Sequence, residues 1–172
     1  HQDSKRNKLE PRRRRGCLLV HGERMDETIE KDIQVWRLHP DNIPANWPYM
    51  RPFLQDALEK QGTDKRHPID FVLLDLMTGA TVGWLITDFD KPVCAMVTKI
   101  ENYPLGDSVF IFLLGGDDWI KWGDELDTVL MRYADDVGAK WVDTKCRKAI
   151  GKILDTGYGY RYKYETFVKE LA

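Results

Sequence analysis

The stretch SVFIFLLGG (108–116) constrains this chain more than any other. Val109 to Leu114 are all large and apolar, with no polar alternation. Such a run reads as a strand covered on both faces. It is far shorter than the ~20 residues needed to span a bilayer. After Asp117 the chain, DWIKWGDELDTVLMRYADDVG (118–138), changes to helical spacing. Ile120, Leu126, Val129, Leu130, Tyr133 and Val137 form the expected apolar stripe, and Gly138 the stop. AKWVDTKC (139–146) then returns to strand character. A strand, a helix and a second strand in this order call for a crossover on a sheet, with further layers covering both faces.

The flanking chain supplies those layers. IQVWRLHP (33–40) alternates and ends at proline, so it reads as a strand. Residues 41–60 place Trp47, Met50, Leu54, Ala57 and Leu58 at helical spacing, with Asp41 or Asn42 able to cap and Pro44 suited to the first turn. Pro48 and Pro52 predict two short pieces rather than one helix. A second helix is expected over 67–79, and strands over 81–89 and 93–103. A short helix over 147–157 and a final strand over 162–171 complete the order β-α-α-β-β-β-α-β-α-β. The fold class is α/β, a mixed twisted sheet with helices on both faces.

Charge divides the chain. Residues 1–24 hold eight Lys/Arg and three Asp/Glu, a net +5; the whole chain is −2, so residues 25–172 carry −7. A domain that acidic is a poor partner for nucleic acid, which only the basic leader could contact. The first Met is Met25, preceded by Gly-Glu-Arg. Codons GGA-GAG-AGA would read as a bacterial ribosome-binding site, so residues 1–24 are expected to be translated upstream sequence or a disordered basic leader. A true basic arm and an end left by proteolysis are the alternatives. The expected domain is therefore 25–172. No membrane partner is expected. Cys17, Cys94 and Cys146 are odd in number and form no CxxC, which argues against a zinc site or a disulfide framework, and no other metal site is expected.

The junction FLLGGDDWIKWGDEL (112–126) poses the functional question. A strand running through glycines into a helix is the layout of an anion site at a helix N-terminus. Here Asp117 and Asp118 come first, and carboxylates repel an anion. They do suit the free N–H groups and dipole of a helix start, an effect worth ~1 kcal/mol. They are therefore expected to act as built-in caps in the anion's place. A remodelled ligand site is the alternative.

The element order resembles the GNAT (Gcn5-related N-acetyltransferase) fold over about 33–171. VLMRYADDVGAKWVD (129–143) is similar to the end of that family's third helix and its fifth strand, and KAIGKILDTGY (148–158) to its short helix ending in Gly-Phe or Gly-Tyr. LHPDNIPANWPYMRPFLQDAL, KIENYP and the terminal GY also resemble small GNAT-like proteins of bacteriophages. The resemblance implies acetyl-CoA as cofactor, held through R/Q-x-x-G-x-G/A. That loop falls on DWIKWG (118–123), where Asp118 replaces Arg or Gln, Lys121 replaces the first glycine and Gly123 remains. Candidate cofactor-binding residues are Leu113, Leu114, Gly115, Gly116, Asp118, Trp119, Lys121 and Gly123. The family's acidic tyrosine would fall on Ile153, which has no proton to give, so Tyr158 and Tyr160 become the candidate general acids. Glu101 is the candidate base, with Asp88 another strand carboxylate. His39 and His67, each before proline, are further bases of lower standing.

Three functions follow, the last a nucleic-acid-binding accessory that would use the Arg12–Arg15 arm if that arm is native. The first is a GNAT-like bacteriophage protein with a degenerate acetyl-CoA loop, a non-catalytic virion-associated or binding component whose partners are other phage structural proteins. The second is an acetyl-CoA-dependent N-acyltransferase with an unusual cofactor loop. The expected location is the cytoplasm of an infected bacterium, or the virion.

Overall fold

The computed structural model describes residues 32–146 and 148–163. The basic leader and most of the expected final strand lie outside the described residues. Tyr162 and Lys163, where that strand would begin, are in irregular backbone.

Strand β1 (Ile33–Leu38) is followed by a short 3-10 turn (Pro40–Asn42), helices α1 (Ile43–Gln61) and α2 (Ile69–Thr78), and strands β2 (Val82–Asp88), β3 (Lys91–Tyr103) and β4 (Gly106–Gly116). Helix α3 (Trp119–Asp136), strand β5 (Trp141–Thr144) and helix α4 (Lys148–Gly157) complete it. The five strands form one sheet in the order β1-β2-β3-β4-β5. The first three pairings are antiparallel and β4–β5 is parallel. The mixed α/β sheet expected from the sequence is thus present. β4 is an interior strand, and β3 is the middle one of the five.

Period-2 alternation builds two cores from one sheet. Leu85, Ala95, Val97 and Leu113 face α1 and α2, where Ile43, Met50, Leu54, Leu58, Val72 and Leu76 cover them. Trp84, Ile86, Cys94, Met96, Val109 and Ile111 face the other way, onto Trp122, Leu126, Leu130, Tyr133 and Ala134 of α3. Burial on both faces explains why the middle of the sheet reads as unbroken apolar sequence.

Three expectations need correction. Helix α1 is one helix through Pro48 and Pro52, not two pieces. Pro44, Pro48 and Pro52 recur every fourth residue on the exposed side. The carbonyls deprived of an N–H partner therefore face water, while Met50, Leu54, Ala57 and Leu58 stay buried on the opposite side. In α3 the buried stripe is Trp122, Leu126, Leu130, Tyr133 and Ala134, whereas Ile120 is 90% exposed and Val137 lies at the open C-cap. β1 ends at Leu38, because Pro40 begins the 3-10 turn.

Candidate functional site

The parallel pair that builds the site is short. β5 pairs with β4 only from Ser108↔Trp141 to Ile111↔Thr144. Beyond that point β4 continues as Phe112–Gly116 with no strand on its β5 side among the described residues. A register shift in the β3 pairing lies at the same place: Val97 pairs with Leu113 and Thr98 with Ile111, leaving Phe112 as the extra residue. The sheet therefore opens at the C-terminal ends of its two parallel strands, the position where open α/β sheets bind ligands.

A cavity of about 150 Å³ fills the opening. Phe112, Leu114, Gly115 and Gly116 of β4 form one wall, and Thr144, Lys145 and Cys146 the other. Asp56 and Lys60 of α1, Trp119, Trp122 and Asp127 of α3, and Ile150 and Leu154 of α4 close it, with Tyr160 beyond α4. Of the residues singled out in the sequence, Leu114, Gly115, Gly116, Trp119 and Tyr160 meet here. Leu113 does not: its side chain is buried under α1. Tyr158, Glu101, Asp118, Lys121 and Gly123 are also outside the cavity lining. Asp88, His39 and His67 are outside it as well.

The glycines serve packing. A Cβ on Gly115 would stand 2.0 Å from the carbonyl oxygen of Phe53, so α1 lies directly on β4. A Cβ on Gly116 would meet Cys94 and Val93 at 2.7 Å. On Gly123 it would meet the Trp119 indole at 2.6 Å and the Tyr158 hydroxyl at 2.8 Å. The surface of Gly123 is thus covered by the chain's own aromatic side chains.

The expected carboxylate caps are absent. Asp118 precedes α3 in the left-handed region (φ 56, ψ 50), and its side chain makes no capping hydrogen bond. A capping side chain needs extended backbone at this position to reach back to the N–H groups. Asp118 instead pairs with Lys121 at 2.8 Å, and that hydrogen bond holds its carboxyl below the ordinary range. Asp117 contributes its backbone carbonyl, which accepts from Trp122 Nε1 at 2.6 Å. Among the described residues neither carboxylate bonds an N–H of the helix, and the dipole end of α3 is left uncapped.

The two tyrosines differ sharply. The Tyr158 hydroxyl donates to Asp124 Oδ1 at 2.7 Å and accepts from Trp119 Nε1 at 3.1 Å, which ties the end of α4 to the start of α3. Burial and the Asp124 hydrogen bond push its pKa up. Tyr160 lines the cavity, and burial pushes its phenol far up, reinforced by the carboxylates of Asp127 and Asp143. Its hydroxyl therefore stays protonated at any physiological pH.

Glu101 lies near the other end of β3, opposite Ser108. It pairs with Lys99 at 3.0 Å and accepts from the Tyr103 hydroxyl at 2.9 Å. Burial raises its pKa, but the Lys99 and Tyr103 hydrogen bonds outweigh this and the net shift is downward. It is a weak proton acceptor and does not line the cavity. Sequence reasoning missed Phe112, Asp127 and Lys145. Position at the C-terminal end of β5 was the signal available for Lys145.

No family model matches the chain, and no curated protein matches it by sequence. Solved structures do match. The aminoglycoside acetyltransferase meta-AAC0020 from an uncultured soil metagenomic sample, in complex with sisomicin, superposes with a TM-score of 0.60 at 16% identity, over 81% of this chain and 97% of that one. The GCN5-related N-acetyltransferase from Ralstonia eutropha JMP134 gives 0.59 at 14% identity, over 81% and 99%. The aminoglycoside N-acetyltransferase AAC(6')-Iy, in complex with CoA, gives 0.59 at 11% identity, over 84% and 97%. Identities this low carry architecture rather than chemistry, and the architecture is the GNAT fold of these acetyltransferases.

Proposed function

We propose that this chain is an acyl-CoA-dependent N-acyltransferase. The observation that carries the reading is the gap between β4 and β5. Past Ile111, the backbone N–H and C=O groups of β4 that point away from β3 have no ladder partner among the described strands. A pantetheine arm carries two amides and can satisfy such an edge as an added strand would. Phe112, Leu114, Trp119, Ile150 and Leu154 give the cavity apolar walls for the rest of the arm. The cofactor's arm thus fits the residues present. Its pyrophosphate would be met by the uncapped N–H groups of α3 alone, without the family's glycine loop.

When bound, acetyl-CoA supplies a thioester whose sulfur leaves as the new amide forms. The amine nitrogen gives up one proton to solvent as the amide bond forms, and the chain's part is to deliver one proton to the departing sulfur. Of the candidate acids, Tyr160 is the one that lines the cavity; burial keeps its phenol protonated and also makes it a reluctant donor, so the departing thiolate must be close to draw the proton. Tyr158 has its hydroxyl committed to Asp124 and Trp119, so it serves to hold α4 against α3. Glu101 is unsuited to act as base.

A second reading has its own support. The Trp119 indole and Tyr158 cover Gly123, the one glycine left of the cofactor loop, and the Asp118–Lys121 pair neutralises the nearest cation. Those features favour a protein that does not use acetyl-CoA, for which a non-catalytic binding or virion-associated component of a bacteriophage is the alternative reading. Calorimetric titration with acetyl-CoA and with CoA separates the two. Micromolar binding, with thiol release when amines are added, is the expected result. Absence of binding at millimolar ligand would overturn the transferase reading.

A further inference from the structure

We infer that the acyl acceptor is a small amine bearing a single carboxylate or phosphate group, read by Lys145 and Lys99 on the face of Phe110. This deepens the acyltransferase reading and rests on it. The observation is a cation-rich aromatic platform joined to the cavity. Lys99 Nζ stands 5.1 Å from the centroid of the Phe110 ring and 5.9 Å from that of Phe112. Lys145 Nζ stands 5.8 Å from the same Phe110 ring. Phe112 and Lys145 both line the cavity, so the platform continues its wall. His67 packs edge-on against Phe112 at 5.2 Å.

Charge on the platform does not balance. Glu101 pairs with Lys99 at 3.0 Å, and Lys145 also acts on it at longer range. Among the described residues no carboxylate comes within ion-pair distance of Lys145. Glu101 is thus committed to Lys99, and the Lys145 ammonium carries the local excess of positive charge. The ring faces hold both lysine heads by cation–π attraction, and an ammonium held over a ring keeps its outward N–H donors for a ligand. One further anion would complete the cluster.

The rest of the domain sets the size of that anion. With −7 on residues 25–172, a polyanion is repelled at long range, whereas a small molecule with one anionic group meets only the local excess. A polyamine acceptor lacks the group that Lys145 requires.

The test uses matched pairs that differ only in the anionic group: L-tyrosine and tyramine, L-lysine and cadaverine, and phosphoethanolamine and ethanolamine. Each is titrated into the full chain while the backbone amide resonances of Phe110, Phe112 and Lys145 are followed. Thiol release from acetyl-CoA is measured separately for each amine. At least one anionic member is expected to bind about tenfold or more tightly than its partner. The Lys145→Ala substitution is expected to remove that difference with a much smaller loss of CoA affinity, since Lys145 also stands in the cavity wall. An equal response within every pair, no response included, overturns the inference. So does a loss of CoA affinity in K145A that matches the loss for the amine, because the lysine would then serve the cofactor. Discrimination without thiol release would instead overturn the transferase reading and leave an anion-reading amine site.

Discussion

Gly115 and Phe53 are in backbone contact: a methyl group added to the glycine would stand 2.0 Å from the Phe53 carbonyl oxygen. Helix and strand cannot both keep their places if that methyl is present. The Gly115→Ala variant is therefore expected to lose about 1–3 kcal/mol, the range for overpacking against a well-packed neighbour. Chemical denaturation checks it. A midpoint equal to that of the parent protein would mean that α1 can lift off β4 at no cost.

Trp84 is 1% exposed, and its indole N–H donates to Thr98 Oγ1 at 2.9 Å within the sheet. Thr98 is itself fully buried. Thr98→Val keeps the shape and removes the acceptor. The orphaned indole N–H should cost about 1–3 kcal/mol. Thermal unfolding of this variant, compared with valine at the exposed Thr78, measures the effect.

Removing the Asp118 carboxylate should change stability very little. The side chain is exposed, caps nothing and makes one surface ion pair with Lys121. Its effect should appear in ligand binding. Asp118→Asn removes one negative charge beside the free N–H groups of α3 and releases Lys121, so CoA should bind more tightly while the melting temperature holds. A fall in melting temperature of several degrees would show that the carboxylate supports the helix after all.

Tyr160 sets an alkaline limit. Its folded pKa lies above the ordinary phenol value of 10.0, because burial and the nearby carboxylates disfavour the phenolate. Above that value the unfolded chain loses the proton first, so this contribution to stability is complete below about pH 10 and declines as pH rises further. Tyr160→Phe should flatten that decline. If the hydroxyl also serves as the acid, the same substitution should lower kcat by roughly 10²–10⁴-fold. A fall in kcat of less than threefold would assign the proton to another group.

The sequence by itself determined the layers. The unbroken apolar run of β4, the helical spacing of α3 and the terminating glycines follow from local periodicity and backbone sterics, which act over a few residues. It also marked the junction after Gly116 and raised Tyr160 as a candidate. Tertiary structure decided what those residues do. One helix runs through Pro48 and Pro52, because the core it buries lies opposite the broken hydrogen bonds. Asp118 turned to Lys121 instead of capping, because its backbone is left-handed. Gly115 and Gly123 proved to be packing positions once Phe53, 62 residues earlier in the chain, and Tyr158, 35 residues later, were brought against them. The cleft exists only because β5 stops pairing at Thr144 while β4 runs on to Gly116. Where two strands part depends on contacts between segments distant in sequence, and no local pattern encodes it.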